Sequence, residues 1–143
     1  MKNLTLISLL LLTSCVVTQL PTEQTTLEKV INVPGVAQNE LYVRANTWFV
    51  KTFNSAESVI EFQDKEAGKI AGKYSLNYSL MLSPFRSTQS ITVDVKESKA
   101  RIRIENPSIN KTALTSQHMN KIRPEWEKII ADFEKSINTS DEF

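Results

Sequence analysis

Past residue 25 the apolar positions recur with two periods, one of a strand and one of a helix. Leu27, Ile31 and Val33 share one side of a short first segment, Leu27–Val33, whose alternation predicts a strand. Pro34-Gly35 follows and predicts a type II turn, with proline fixing φ and glycine taking positive φ. Leu41, Ala45, Trp48, Phe49, Thr52 and Phe53 then recur at i, i+4, i+7, i+8, i+11 and i+12, a single amphipathic stripe. Arg44, Asn46, Lys51 and Asn54 lie largely off it, and Glu40 sits in the first turn, where the helix dipole favours an acid. Asn54-Ser55 is read as the end of this helix.

Four strand-like segments come next. Val59–Gln63 places Ile60 and Phe62 on the face opposite Glu61. Asp64-Lys65-Glu66-Ala67-Gly68 has the composition of a turn. Alternation then becomes strict, with Ile70, Gly72, Tyr74, Leu76, Tyr78, Leu80 and Leu82 at even positions, as in a half-buried antiparallel strand. Gly72 within it marks a bulge or bend. Ser83-Pro84 breaks the pattern, and Phe85 to Gln89 reads as a loop. Ile91, Val93 and Val95 form a third segment and Ile102 and Ile104 a fourth, joined at Glu97-Ser98 by a hairpin that lacks the favoured Asn-Gly or Asp-Gly pair.

Asn106 to Gln117 is polar and irregular, and the last helix is predicted to start at Pro124, the first helical position being one that proline tolerates well. Trp126, Ile129, Ile130, Phe133 and Ile137 make its stripe. The order β-α-β-β-β-β-α, with one apolar sheet face and two helix stripes to cover, predicts an α+β two-layer domain over residues 25–137, its last helix in the concavity of a twisted sheet and a frayed tail at 138–143.

The first 24 residues follow neither period. A basic start at Lys2 precedes the apolar run Leu4–Leu12, too short to span a bilayer, which needs about 20 residues. It fits the apolar region of a secretory signal peptide over residues 1–14. Leu12-Thr13-Ser14-Cys15 resembles the lipobox of bacterial lipoproteins, and Cys15 is the only cysteine in the chain. That resemblance implies a lipid on the Cys15 thiol, cleavage just before Cys15 and a further acyl chain on the new amino group. Two or more chains give stable anchoring where one is marginal. Residues 15–24, polar and containing Pro21, read as the lipidated cysteine and a tether. No aspartate follows the cysteine, which by analogy with other Gram-negative lipoproteins implies the outer membrane, facing the periplasm.

Charge narrows the partners. The chain of 143 residues has 17 basic and 16 acidic side chains, and removing residues 1–14 takes away Lys2 alone, leaving 16 of each. A neutral mature chain is a poor match for the polyphosphate of nucleic acid. One Cys and one His cannot build a Cys/His zinc site or an intramolecular disulfide, and three Gly leave no phosphate-cradling loop, so no cofactor is expected. His118, flanked by Gln117, Met119 and Asn120, is expected to be a solvent-exposed loop residue. Arg101 and Arg103, with Lys96 and Lys99 nearby, are either a contact for a small anion or a solvated face paired with Asp94 and Glu105. Tyr74 and Tyr78, with Trp48 and Trp126, are either core or the lining of a cleft in which a ligand stacks.

Two segments carry a family resemblance: Glu40-Leu41-Tyr42-Val43-Arg44-Ala45-Asn46-Thr47-Trp48-Phe49 and Val59 to Ile70, with its Asp-Lys-Glu-x-Gly-Lys-Ile turn. Val93-Asp94-Val95-Lys96 before Lys99-x-Arg101 adds to it, although Glu97-Ser98 stands where the family more often has Asp-Gly. Over about residues 25 to 110 the chain resembles a family of bacterial envelope proteins, common in Bacteroidetes, described as a domain of unknown function with a TBP-like fold. The resemblance implies a curved antiparallel sheet with helices on one side, and no activity, since a fold does not carry a function. The expected role is a non-enzymatic, lipid-anchored module that binds a protein partner or a small apolar ligand. Alternatives are a structural envelope component that self-assembles through a strand edge, and an envelope hydrolase, for which no nucleophile–base pair is visible.

Overall fold

Alternation and stripe meet in one layer each. The computed structural model describes residues 20–53, 58–110 and 112–139. The signal peptide, Cys15, the helix end at Asn54-Ser55 and the last residues of the tail lie outside them. The elements are α1 (Thr22–Thr25), β1 (Thr26–Asn32), α2 (Gln38–Thr52), β2 (Ser58–Asp64), β3 (Lys69–Leu80), β4 (Ser83–Lys96), β5 (Lys99–Ile109) and α3 (Ser116–Asn138). The strands form one antiparallel sheet in the order β1-β5-β4-β3-β2. Strands β2 to β5 follow one another as hairpins, while α2 carries the chain across the sheet from one edge, β1, to the other, β2.

Both long helices pack on the same face. Ile70, Ile91, Val93, Val95, Ile102 and Ile104 of the sheet meet Leu41, Ala45, Trp48 and Phe49 of α2 and Ile122, Trp126, Phe133 and Ile137 of α3 in a single buried cluster. The aromatic stripe of α2 is knitted edge-to-face: Trp48 lies 5.9 Å from Phe49, 5.5 Å from Phe53 and 4.8 Å from Phe133 between ring centroids. Such pairs add about 0.5–1.5 kcal/mol each beyond the area they bury. Thr52, expected on the stripe, is exposed, and Tyr42 takes a buried place instead.

Several boundaries differ from the sequence reading. The segment read as a tether has structure at its end: Thr22–Thr25 forms a helical turn, to whose carbonyls at Glu23 and Gln24 Arg123 of α3 donates hydrogen bonds. Strand β4 begins at Ser83 and takes in the stretch read as a loop, because Phe85, Ser87 and Gln89 continue the inward alternation. Ser87 and Gln89 are polar yet buried, which hides the pattern. Strand β5 runs on to Ile109 through a bulge at Asn106-Pro107, where Asn106 takes φ 55° and proline's missing N–H costs no ladder bond. Helix α3 begins at Ser116, and Pro124 lies inside it. His118, Met119 and Ile122 extend the stripe backwards from Trp126 by eight, seven and four residues, and their burial outweighs the one backbone bond that proline removes.

The turns carry the local chemistry. Gly35 takes φ +78° with Val36 N–H on Val33 C=O, as Pro-Gly predicts. This loop docks on the Glu97-Ser98 turn: Ser98 N–H donates to Val36 C=O, Val33 N–H donates to Ser98 C=O, and Gly35 N–H donates to Ser98 Oγ. That last bond needs a side chain, which explains a serine at φ 59° in place of glycine. At the other turn Asp64 Oδ1 accepts the Ala67 N–H, and Gly68 at φ +66° accepts the Val95 N–H.

Candidate functional site

The residues singled out from the sequence are not assembled into one cleft. Trp48 and Trp126 are 3% and 0% exposed. The indole N–H of Trp48 donates to Asp132 Oδ2 at 2.8 Å, beside an open depression of about 260 Å³ flanked by Lys51, Lys135 and Ser136. Trp126 Nε1 is buried with no partner among the described residues. Tyr74 packs on Phe53, ring centroids 5.3 Å apart, and so joins the α2 aromatic group.

Tyr78 belongs to a separate cluster at the far end of the sheet. It pairs across the strands with Phe85, ring centroids 5.9 Å apart, and His118 closes over both rings from the first turn of α3, 4.8 Å from Phe85. Tyr78 Oη and His118 Nδ1 share a hydrogen bond of 2.8 Å. His118 is 4% exposed, not a solvated loop residue, because α3 starts eight residues earlier than Pro124 implied and brings the ring under the sheet. A phenol and an imidazole so bonded have the makings of an acid–base couple, but burial pushes the Tyr78 phenol above its ordinary value near 10 and makes it a weaker acid. The bond ties β3 to the first turn of α3. Tyr78→Phe should cost about 1 kcal/mol at neutral pH, read by chemical denaturation. A phenol held neutral by the fold also makes stability fall as pH rises past about 10, where the unfolded chain ionises first. Stability of the Tyr78→Phe protein should fall less over that alkaline range, and equal slopes would show that Tyr78 is not the group responsible.

The charged face is the other surface. Arg101 donates to Asp94 Oδ2 at 2.7 Å, which holds the guanidinium more firmly protonated. Arg103 does not pair with Glu105: it reaches Glu28 on β1, with Nε 2.6 Å from Oε2, because β1 lies beside β5 in the sheet. Lys96 and Lys99 face each other across the β4–β5 hairpin and, with Arg101, Asp94 and Val30, line an open depression of about 270 Å³. Three cations around one carboxylate make it the electropositive end of the outer sheet face, and Arg103 is outside it. Among the described residues no three His, Cys, Asp or Glu side chains come together to hold a metal ion.

Sequence reasoning missed three features here. Ser87 and Gln89 are buried polar residues, the Gln89 Nε2 without a partner among the described residues. The burial of His118 is visible in the sequence only as a faint extension of the α3 stripe. Leu82, read as the end of an alternating strand, and Met81 before it are 101% and 84% exposed at the tip of the β3–β4 hairpin.

Known proteins share this arrangement. The family model of a domain of unknown function (DUF4468) with a TBP-like fold matches residues 28–110. A DUF4468 family protein from Bacteroides ovatus superposes with a TM-score of 0.67 at 18% identity, over 86% of this chain and 92% of that one. A TBP-like protein from Parabacteroides distasonis superposes with a TM-score of 0.69 at 11% identity, over 81% of this chain and 94% of that one. At such identities the likeness is one of fold. No curated protein matches the chain. With its α+β architecture, its five-stranded antiparallel open sheet and a family match that spans most of the strands, the chain belongs to the DUF4468 family of domains of unknown function with a TBP-like fold.

Proposed function

We propose that the protein is a non-enzymatic binding module of the bacterial envelope, anchored through a lipid on Cys15 to the periplasmic face of the outer membrane, that takes a protein partner on its outer sheet face. One observation carries the binding surface: α2 and α3 both cover one face of the five-stranded sheet, and among the described residues no helix covers the other. Its middle is polar, with Thr92, Ser90 and Thr88 among the Arg101–Asp94 and Arg103–Glu28 pairs. Val30 on β1 and Phe62 on β2 add exposed apolar side chains near its two edges, 48% and 49% exposed. Apolar spots beside a polar, charged middle suit a protein surface better than a small apolar ligand, for which the helix–sheet space is already filled by Trp48, Phe49, Phe53 and Phe133.

The address rests on the lipobox-like Leu12-Thr13-Ser14-Cys15. No helix among the described residues is long and apolar enough to cross a membrane. Cys15→Ala is expected to move the protein from the membrane fraction to the soluble fraction and to abolish incorporation of labelled fatty acid, and unchanged membrane association would refute the anchor. For the partner surface, a photo-crosslinking side chain at Thr92, in the middle of the outer face, should give a discrete adduct in cells, while one at Val43 on the exposed side of α2 should not. Adducts from Val43 alone would overturn the assignment of the face.

A further inference from the structure

The two most exposed large apolar side chains of the described residues are adjacent. Met81 and Leu82 form the two-residue loop between Leu80 and Ser83, both at positive φ, 49° and 65°. A two-residue hairpin loop of this kind is normally Asn-Gly or a similar pair. Here two side chains that disfavour that backbone occupy it, and neither is buried to compensate. Pro84 beside them is also exposed, and Arg86 is exposed with no ion pair among the described residues. No Asp or Glu occurs between Lys69 and Val93. The tip is therefore apolar, followed by a cation, and free of acidic residues.

Its place in the fold points to what covers it. Thr26, where β1 begins, lies in one row with Glu105, Ser90 and Lys73. From Ser90 the hairpin runs seven more residues to Ser83, about 23 Å at the usual strand rise. Beyond the Ser87–Ile109 pair only β3 and β4 remain, as a two-stranded ribbon. The chain before Thr26 leaves the sheet at this same end: α1 is tied to Arg123, in the N-terminal half of α3, and Leu20 packs against the core. Cys15 is five residues before Leu20, so it lies within at most about 18 Å of it. A lipid on Cys15 would hold this end of the domain near the bilayer, and the β3–β4 hairpin is the part of the sheet that projects from that end.

We propose that Met81 and Leu82 insert into the lipid surface to which Cys15 is anchored, with Arg86 at the level of the lipid phosphates. The insertion gives the domain a second attachment point and so one orientation. This rests on the anchor reading above, and the experiment separates the two. The chain from Cys15 onward contains every described residue and a single thiol, so it can be coupled through Cys15 to a maleimide lipid in vesicles of phosphatidylethanolamine and phosphatidylglycerol, whether or not cells acylate that cysteine. Leu82→Trp places a reporter at the tip without removing packing, and Glu97→Trp places one at the opposite end of the sheet. The native Trp48 and Trp126 are buried and supply a constant background. With brominated acyl chains in the vesicles, the Leu82→Trp protein should show blue-shifted emission and lose intensity, and the Glu97→Trp protein should show neither. Equal quenching at the two sites, or none at Leu82→Trp, would overturn the insertion. A Cys15 that carries no fatty acid in cells would overturn the anchor alone.

Discussion

Gly68→Ala is expected to destabilise the domain by about 3 kcal/mol, the sum of about 1–2 for a side chain at φ +66° and about 1–3 for a forced shift of packed backbone. A β-carbon added at Gly68 would lie 2.3 Å from the carbonyl oxygen of Val95, and backbone cannot swing aside as a side-chain tip can. The hydrogen bond from Val95 N–H to Gly68 C=O at 2.8 Å is what holds the turn this close, so relief of the clash weakens it. Gly35 is the control. Its φ of +78° is equally left-handed, but among the described residues nothing beyond its own chain neighbours lies within 4 Å of the place a β-carbon would take there. Gly35→Ala should therefore cost only the conformational part, about 1 kcal/mol. Urea denaturation of both variants tests the comparison, and equal losses would mean that the approach of Val95 contributes nothing.

The double replacement Met81→Asn, Leu82→Gly should act in the opposite direction and stabilise the domain by about 1–2 kcal/mol. Each non-glycine residue in the left-handed region costs about 1–2 kcal/mol, which Asn reduces and Gly removes, less the greater freedom Gly has in the unfolded chain. Neither side chain is buried, so no packing is lost. For a domain of this size the gain corresponds to about 3–8 °C in Tm, measured on the chain free of lipid. A fall in Tm would show that the wild-type side chains stabilise the hairpin in water and that its backbone is not under strain. Stability given up at two fully solvated positions is the pattern expected where a sequence serves something other than folding.

Much of the fold is legible because burial imposes a period. The α2 stripe from Leu41 to Phe53, the Ile91–Val95 and Ile102–Ile104 alternations and the Asp64–Gly68 turn each follow from local rules. Errors occur where a polar residue sits on the buried face or an apolar one on the exposed face. Ser87 and Gln89 break the inward pattern of β4 and disguise seven residues of strand as loop. His118 is read as solvated because its neighbours in sequence are polar, while its neighbours in space are Tyr78 and Phe85. Pro124 looks like a helix start because a local rule places proline there, and only the packing of Met119 and Ile122 against the sheet carries the helix through it.

By itself the sequence determined the class of every long element, the two-layer packing they require, the neutral charge of the chain from Cys15 onward and the lipobox-like segment on which the proposed anchor rests. The tertiary structure alone decided which strands are neighbours, and hence that Arg103 meets Glu28 and not Glu105. It also decided that Tyr74 and Tyr78 belong to different clusters, and that Met81 and Leu82 project from the end where the N-terminal segment leaves the sheet. The division has a physical cause. Periodicity is set by each residue's own backbone geometry and its need for burial, so it is written locally. Strand order, hydrogen-bond partners across the sheet and the reach of a hairpin depend on which distant segments share one core, and no local pattern records that.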